Sequence, residues 1–331
     1  MGKNLVSTLI PILFISTSLA QIKVNGYLQY QYRVELKVQN TETFTPGTIN
    51  LKFYGNLNPK VKWEIQLGLK EMNFYKFLKD YYIELVDPLN KISGLELKFG
   101  QFKYHWSIER KENSSDRKTI YRSQVVSALV ADRDRGLEVI YSGVKNLKLA
   151  LGFWNGNVVY KDKGKITETI DYTRNMDDSD VKKDITVFAS YNYSIKKDDG
   201  LIVQVAYLYG SNGKYDISNK TRYAVGFDGY FLNRNLQLRG EFISGKDDDV
   251  KKEGYYVQAS YRIFDYLEPV LKYEWWDNDK NTPGKSNWIT LGLYSKVLDH
   301  VAFRLNYITK IEKDITEEKN DELSFMIQVK F

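Results

Sequence analysis

From Val61 to Lys70 the chain reads Val61-Lys62-Trp63-Glu64-Ile65-Gln66-Leu67-Gly68-Leu69-Lys70, with an apolar residue at every odd position and a polar residue or Gly at every even one. The same two-residue rhythm runs through 236–242, 301–307 and 323–331. Successive side chains of a strand point to opposite faces, so each stretch is a ribbon with one apolar and one polar face. The polar face carries Lys, Glu, Gln and Arg, which are too costly to bury dry. It is therefore expected to face water, and the apolar reverse to face something other than water.

Runs of this kind predict sixteen strands, at 22–38, 48–57, 60–72, 77–86, 93–103, 134–142, 145–155, 183–195, 200–211, 220–231, 234–246, 252–264, 266–277, 286–297, 300–312 and 321–331. An even number suits a closed single-chain barrel. The connections sort into two classes. After even-numbered strands they are tight: 58–59, 142–144, 196–199, 232–233, 265 and 298–299, with only 87–92 longer. After odd-numbered strands they are longer: 39–47, 104–133, 156–182, 212–219, 247–251, 278–285 and 313–320, with 73–76 the exception. Tight turns at one rim and long loops at the other are the plan of an outer-membrane barrel. The expected fold is all-β, a transmembrane antiparallel β-barrel of about sixteen strands whose long third extracellular loop folds into the lumen. Five of the six prolines fall in the leader, turns or loops. Pro269 lies inside an expected strand and predicts a bulge or an end position there. The charged stretches 246–253, 177–184 and 312–322 read as solvated tips.

Residues 1–20 read as an export signal. Lys3 gives a positive start, 5–19 is mostly apolar around Pro11, and Ser18-Leu19-Ala20 offers a small-x-small cleavage site. The apolar run of roughly 15 residues falls short of the ~20 that a spanning helix needs. Residues 21–331 would then form one barrel domain in the outer membrane of a Gram-negative-type bacterium. No other long apolar run exists, and the mean hydropathy of −0.46 excludes helical spans. With 26 Tyr, 16 Phe and 6 Trp, the chain has the amphipathic rings that barrel girdles require. It has no Cys, which excludes both a Cys-linked lipid anchor and stabilising disulfides. The net charge of +6 is dispersed along the chain and argues against nucleic-acid binding.

Chemistry is expected on the longest connection, 104–133, and its flanks. Lys103, Arg110, Lys111, Arg117, Lys118, Arg122, Arg133 and Arg135 make eight basic residues against five acidic ones between 103 and 135. Surplus fixed positive charge in a narrow, low-dielectric constriction attracts anions and repels cations. Pairing of these charges with each other and with lumen carboxylates is the equally weighted alternative. Inward parity adds Lys52, Lys62, Lys70, Lys98, Arg239, Arg262, Lys272, Arg304 and Lys330 to the lumen wall. It also adds Glu35, Glu64, Glu96, Glu138, Glu241, Glu268, Glu274 and Glu322, so the wall is nearly balanced. Catalysis finds no support: only His105 and His300 are available as bases, and His105, Ser107 and Glu109 do not make a triad by arrangement. No metal site, catalytic residue or cofactor is expected; 247–249 is an Asp run at a loop tip.

Three stretches resemble the phosphate-selective porins O and P. The first is Phe99-Gly100-Gln101-Phe102-Lys103 with Trp106-Ser107-Ile108-Glu109, then Ser123 to Ala131 and Asp132-Arg133-Asp134-Arg135-Gly136-Leu137-Glu138-Val139. The others are 236–246 with 254–261, and 267–274. The resemblance implies a sixteen-stranded barrel assembled as a homotrimer, with a loop-narrowed pore whose basic side chains attract phosphate. Lys103, Arg133 and Arg135 fall within the matching stretches. The arginine-rich start of the second strand found in the family is absent, since Thr48, Ile49 and Asn50 stand there with Lys52 the nearest base. The closing Phe325-x-x-x-Val329-x-Phe331 looks like the carboxy-terminal signal through which the barrel-assembly machinery takes up outer-membrane barrels. The function these features predict is a porin for passive diffusion of small solutes, with a preference for anions such as phosphate. A general non-selective porin and a closed structural or adhesive barrel are the alternatives.

Overall fold

The computed structural model describes residues 22–36, 41–70, 77–156, 160–162, 165–167, 183–212, 217–313 and 320–331. The expected export signal lies outside them. Strands β1 (Lys23–Leu36), β2 (Thr41–Asn58), β3 (Val61–Gly68), β4 (Leu78–Val86), β5 (Leu95–Phe102), β6 (Asp134–Tyr141) and β7 (Leu147–Trp154) form the first part of the wall. A separate ribbon pairs β8 (Tyr160–Asp162) with β9 (Lys165–Thr167). The wall resumes with β10 (Asp184–Ser194), β11 (Gly200–Asn212), β12 (Ile217–Phe231), β13 (Leu236–Asp247) and β14 (Val250–Tyr261). It ends with β15 (Leu267–Asp277), β16 (Lys285–Leu298), β17 (Val301–Lys313) and β18 (Asp321–Lys330). All sixteen wall strands are antiparallel neighbours, and β1 pairs with β18, from Tyr27 opposite Lys330 to Leu36 opposite Asp321. Closure removes the edges that an open sheet would leave unpaired.

Burial is inverted relative to a water-soluble sandwich. Along β18, Leu323 and Phe325 are exposed while Glu322, Ser324 and Gln328 are buried. The same inversion holds along β13 and β15, where Glu241, Lys272 and Glu274 are buried and Phe242, Leu271 and Tyr273 are not. An apolar exterior around a polar interior is what a bilayer outside and water inside demand.

Several sequence expectations are corrected in detail. β2 begins at Thr41, so most of the expected loop 39–47 is strand. Pro46 sits within it opposite Tyr30, at a register shift between Leu28 and Tyr30. A proline has no N–H for the ladder, and a bulge absorbs the missing bond. Pro269 is the third residue of β15; it pairs regularly with Leu293 and lies beyond the last β14–β15 pair, so the end position holds and the bulge does not. The expected loop 247–251 is a tight hairpin whose ladder runs to Asp247 opposite Val250. Asp247 and Lys252 there are not solvated: both are buried, with Arg222 donating to Asp247 at 2.7 Å. Lys70 falls beyond the end of β3 and is exposed rather than inward.

The segment between β5 and β6 contains two short helices, α1 (Ile108–Lys111) and α2 (Gln124–Leu129). It also corrects the expectation of a uniformly wet inner face. Val125, Val126, Leu129 and Val130 are buried in an apolar cluster with Ile243, Tyr256 and Trp276 of β13, β14 and β15. Gly254 makes the seat, because a Cβ there would come within 3.0 Å of the Val125 Cβ.

Candidate functional site

The segment 103–133 is fastened to the polar face of the wall by carboxylates. Glu241 of β13 accepts from the backbone N–H of Ile108 at 2.8 Å and of Glu109 at 3.0 Å. It also accepts from the Ser107 hydroxyl at 3.0 Å and the Tyr256 hydroxyl at 2.8 Å. Glu274 of β15 accepts from the Gln124 N–H at 2.7 Å. The first N–H groups of a helix have no partner inside it, and the wall supplies acceptors to both α1 and α2. From the segment, Glu109 reaches Lys272 at 2.8 Å and accepts from the Ser123 hydroxyl at 2.7 Å. Burial alone would raise the Glu109 carboxyl, but Lys272 and the Ser123 donors bring it down to about 2.

The charges of the segment divide unevenly. Its acids are taken up by cations: Glu109 by Lys272 (2.8 Å), Glu112 by Arg239 (2.8 Å), Asp116 by Lys330 (2.7 Å) and Asp132 by Arg133. Two of its cations are held by wall carboxylates. Arg133 forks onto Asp80 with both bonds at 2.8 Å, and Lys118 pairs with Glu268. Arg110 donates to the carbonyls of Val126 and Val130 and stands 3.6 Å from Asp132.

The remaining four cations of the segment, and Arg135 beyond it on β6, have no carboxylate at ion-pair distance among the described residues. Lys103 donates to the Glu112 carbonyl (3.1 Å) and Lys111 to the Lys103 carbonyl (3.0 Å). Arg122 donates to the carbonyls of Glu109 (3.3 Å) and Glu112 (3.0 Å). Arg135 donates to the Gln101 side-chain oxygen (3.0 Å), but it alternates with Leu137 and Val139 on the outward parity of β6, opposite to Asp134 and Glu138, which corrects its expected place in the constriction. The Nε of Arg117, a buried residue, has no hydrogen-bond partner among the described residues. Burial, together with the positive charge of Arg122, lowers Arg117 to about 9. Burial likewise lowers Lys111 to about 8, and holds Lys103, beside Arg133, well below the usual ammonium range. These groups resist their own charge, which an arriving anion would relieve.

The wall residues predicted from parity are mostly neutralised in place. Lys52 meets Glu64 at 2.9 Å, Lys62 meets Glu84 at 2.8 Å, and Lys98 lies 3.9 Å from Glu84 and over the Tyr82 ring. Arg239 bridges Glu112 and Asp228, both at 2.8 Å. Arg304 is different: it donates to the carbonyls of Arg117 (2.6 Å) and Ser115 (3.0 Å) and to Gln328 (3.3 Å). Sequence reasoning missed Asp80, the clamp on Arg133, and Lys145 and Lys148, which line the cavity described below. The parity of β7 was the available signal for Lys148, since it alternates with Leu147 and Leu149. His105, Ser107 and Glu109 turn to three separate partners, Glu138, Glu241 and Lys272. No group of three or more potential metal ligands occurs among the described residues.

Comparison with known proteins agrees with this architecture. The sequence profile of the phosphate-selective porin O and P family matches residues 22–331. A relative from Aquifex aeolicus (strain VF5), described only as an uncharacterized protein, is 28% identical over 157 residues, 41% of this chain and 37% of the relative. The match thus spans little more than a third of that relative's length. Among solved structures, the outer-membrane channel DcaP of Acinetobacter baumannii superposes with a TM-score of 0.68 at 11% identity, covering 95% of this chain and 98% of DcaP. OmpF of Salmonella typhi gives 0.67 at 14%, covering 95% and 98%. An anion-selective porin from Comamonas acidovorans gives 0.64 at 14%, covering 94% and 100%. At such identities these likenesses speak for the fold. With the profile match across nearly its whole length and a closed sixteen-stranded wall, this chain belongs to the phosphate-selective porin O and P family.

Proposed function

We propose that this porin is a passive diffusion channel that prefers small anions, with phosphate the leading solute. The observation that carries the reading is the set of four segment cations, Lys103, Lys111, Arg117 and Arg122, that meet no carboxylate among the described residues while the acids of the segment are neutralised. In this reading the segment 103–133 narrows the lumen, and its uncompensated charge acts as a chain of weak sites that bind and release anions. Lys118 and Arg133, held by Glu268 and Asp80, position the segment. The name of the family and the description of the Comamonas porin as anion-selective favour the same preference. Phosphate would be guided without the arginine ladder of the second strand, because Thr48, Ile49 and Asn50 occupy it.

The rest of the reading follows from the barrel. Residues 1–20 would be removed on export, and the strand ending at Phe331 would engage the barrel-assembly machinery. The apolar exterior would meet outer-membrane lipid and, in part, two further copies of the chain. OmpT of Vibrio cholerae, a structural neighbour, is described in a trimer form. Catalysis is no part of it.

The test is the zero-current potential of the purified protein in a planar bilayer under a KCl gradient, repeated with added phosphate. An anion-side potential with chloride current blocked by phosphate is the expected result. A potential near zero that ignores phosphate would make the chain a general porin, and no conductance would make it a closed barrel.

A further inference from the structure

A cavity of about 600 Å³ lies between α1 and the inner faces of β7, β10 and β11. Its lining combines two chemistries that inorganic phosphate does not need together. One is positive charge. Lys111, Lys145 and Lys148 all border it, and none has a carboxylate partner among the described residues. The carboxylates that border it, Glu112 and Asp228, are both taken by Arg239 at 2.8 Å. The His105 ring is likewise turned to Glu138. The lining therefore keeps a surplus of ammonium groups.

The other chemistry is apolar surface where a porin interior has least reason to keep it. Phe188 alternates inward with Thr186 and Ser190, 5.5 Å from the His105 ring. Ile202 alternates inward with Gln204 and Ala206 yet remains 39% exposed. Trp106 adds its ring, and its indole N–H has no acceptor among the described residues. An exposed Ile inside a water-filled wall is a cost unless an apolar body covers it. A concave site of a few hundred cubic ångströms with apolar walls and a few convergent charges is the usual form of a small-molecule pocket.

We infer that this cavity is a binding subsite for small organic anions carrying a ring or short alkyl body on a phosphate or carboxylate group. The ammonium groups of Lys111, Lys145 and Lys148 take the anionic end, and Phe188 and Ile202 cover the apolar end. The inference deepens the anion-channel reading and rests on it, since Lys111 belongs to both sets of cations; it adds that the solutes of this porin extend beyond inorganic phosphate.

The experiment is equilibrium titration calorimetry of the full barrel in detergent, with phenyl phosphate as probe and inorganic phosphate as reference. Phenyl phosphate is expected to bind about tenfold more tightly, as burial of an aromatic ring predicts. Ile202→Ala and Phe188→Ala should bring the ratio toward one without weakening inorganic phosphate. Lys148→Gln should weaken phenyl phosphate by several-fold. Ile202 is half exposed, so trimming it leaves folding intact even where loss of the buried Phe188 does not. Absent binding of phenyl phosphate, a ratio near one in the unaltered protein, or a ratio that survives both apolar substitutions overturns the inference. Binding is read without current, so a barrel that binds phenyl phosphate but shows no anion selectivity would count against the channel reading alone.

Discussion

Lys272 on β15 sets its ammonium 2.8 Å from Oε1 of Glu109, a residue 163 positions earlier in the chain on the helix α1. Glu274 lies 3.2 Å from the same ammonium, and all three side chains are buried. The pair pins the first helix of a long connection to a strand far from it in sequence. A buried charge left alone is much worse than a buried pair, so the two partners are not independent.

Lys272→Met is therefore expected to cost about 3–5 kcal/mol, because Glu109 keeps its burial and loses its counter-ion. Adding Glu109→Gln should recover much of the loss. Urea unfolding of the barrel in lipid vesicles, run as a double-mutant cycle, measures both. Two single losses that simply add would contradict the coupling.

Glu241→Ala removes the acceptor shared by the Ile108 and Glu109 N–H groups, the Ser107 hydroxyl and the Tyr256 hydroxyl. Each buried donor left unpaired costs about 1–3 kcal/mol, and here they lie together at the start of α1. The expected consequence is a barrel that still closes but whose segment is loose, seen as raised open-channel noise in single-channel records. Quiet channels in this variant would show that the segment is held elsewhere.

Arg122 and Arg133 should behave oppositely on neutralisation. Arg122 meets only carbonyls, so Arg122→Gln should shift the zero-current potential toward cations with little loss of stability. Arg133 is clamped by Asp80, so Arg133→Gln leaves a buried carboxylate unpaired and should cost about 3 kcal/mol or more. Thermal gel-shift temperature and reversal potential, measured on both, separate the two roles.

Burial brings Lys111 down to about 8 from its usual 10.5. Raising the pH from 6 to 9 should thus discharge it and reduce the proposed anion preference, while Lys111→Gln should flatten that step. Stability moves the other way. Between about 8 and 10.5 the unfolded chain holds this proton more tightly than the folded one, so the unfolded state binds more protons and folding gains as pH rises. Reversal potentials across pH 6–9, with and without the substitution, check the first half.

Gly100 of β5 has φ +130, and a Cβ there would overlap the Tyr81 carbonyl oxygen. It pairs across the strands with Gly136, so two glycines of the family-like stretch face one another. Gly100→Ala is expected to cost about 1–3 kcal/mol in backbone strain, with further loss from the collision. A lower fraction of the heat-modifiable folded form on gels would register it, and an unchanged fraction would show that the strand relaxes.

The sequence by itself determined the wall. Period-two alternation is a local property, so the sixteen strands and the apolar exterior could be read from neighbours in the chain, whereas two of the expected long connections, 39–47 and 247–251, proved to be mostly strand and a tight hairpin. Even β7, where Leu147-Lys148-Leu149 alternates, carries its facing in three residues. What the alternation could not carry is anything that depends on a distant partner. α1 and α2 have four and six residues, too few for a helical period to show. Lys79 enters β4 at a register shift, between Leu67 opposite Leu78 and Gln66 opposite Asp80, and lies against Gly68. No parity count anticipates a bulge. Above all, the question of which of the eight basic residues at 103–135 are free was closed only by the tertiary structure. Lys118 and Arg133 found wall carboxylates and Arg110 stands by Asp132, while Lys103, Lys111, Arg117 and Arg122 found none, and Arg135 took the outward parity of β6. Charge is a property of the residue, but its compensation is a distance, and that distance is set by where the segment lands across the barrel.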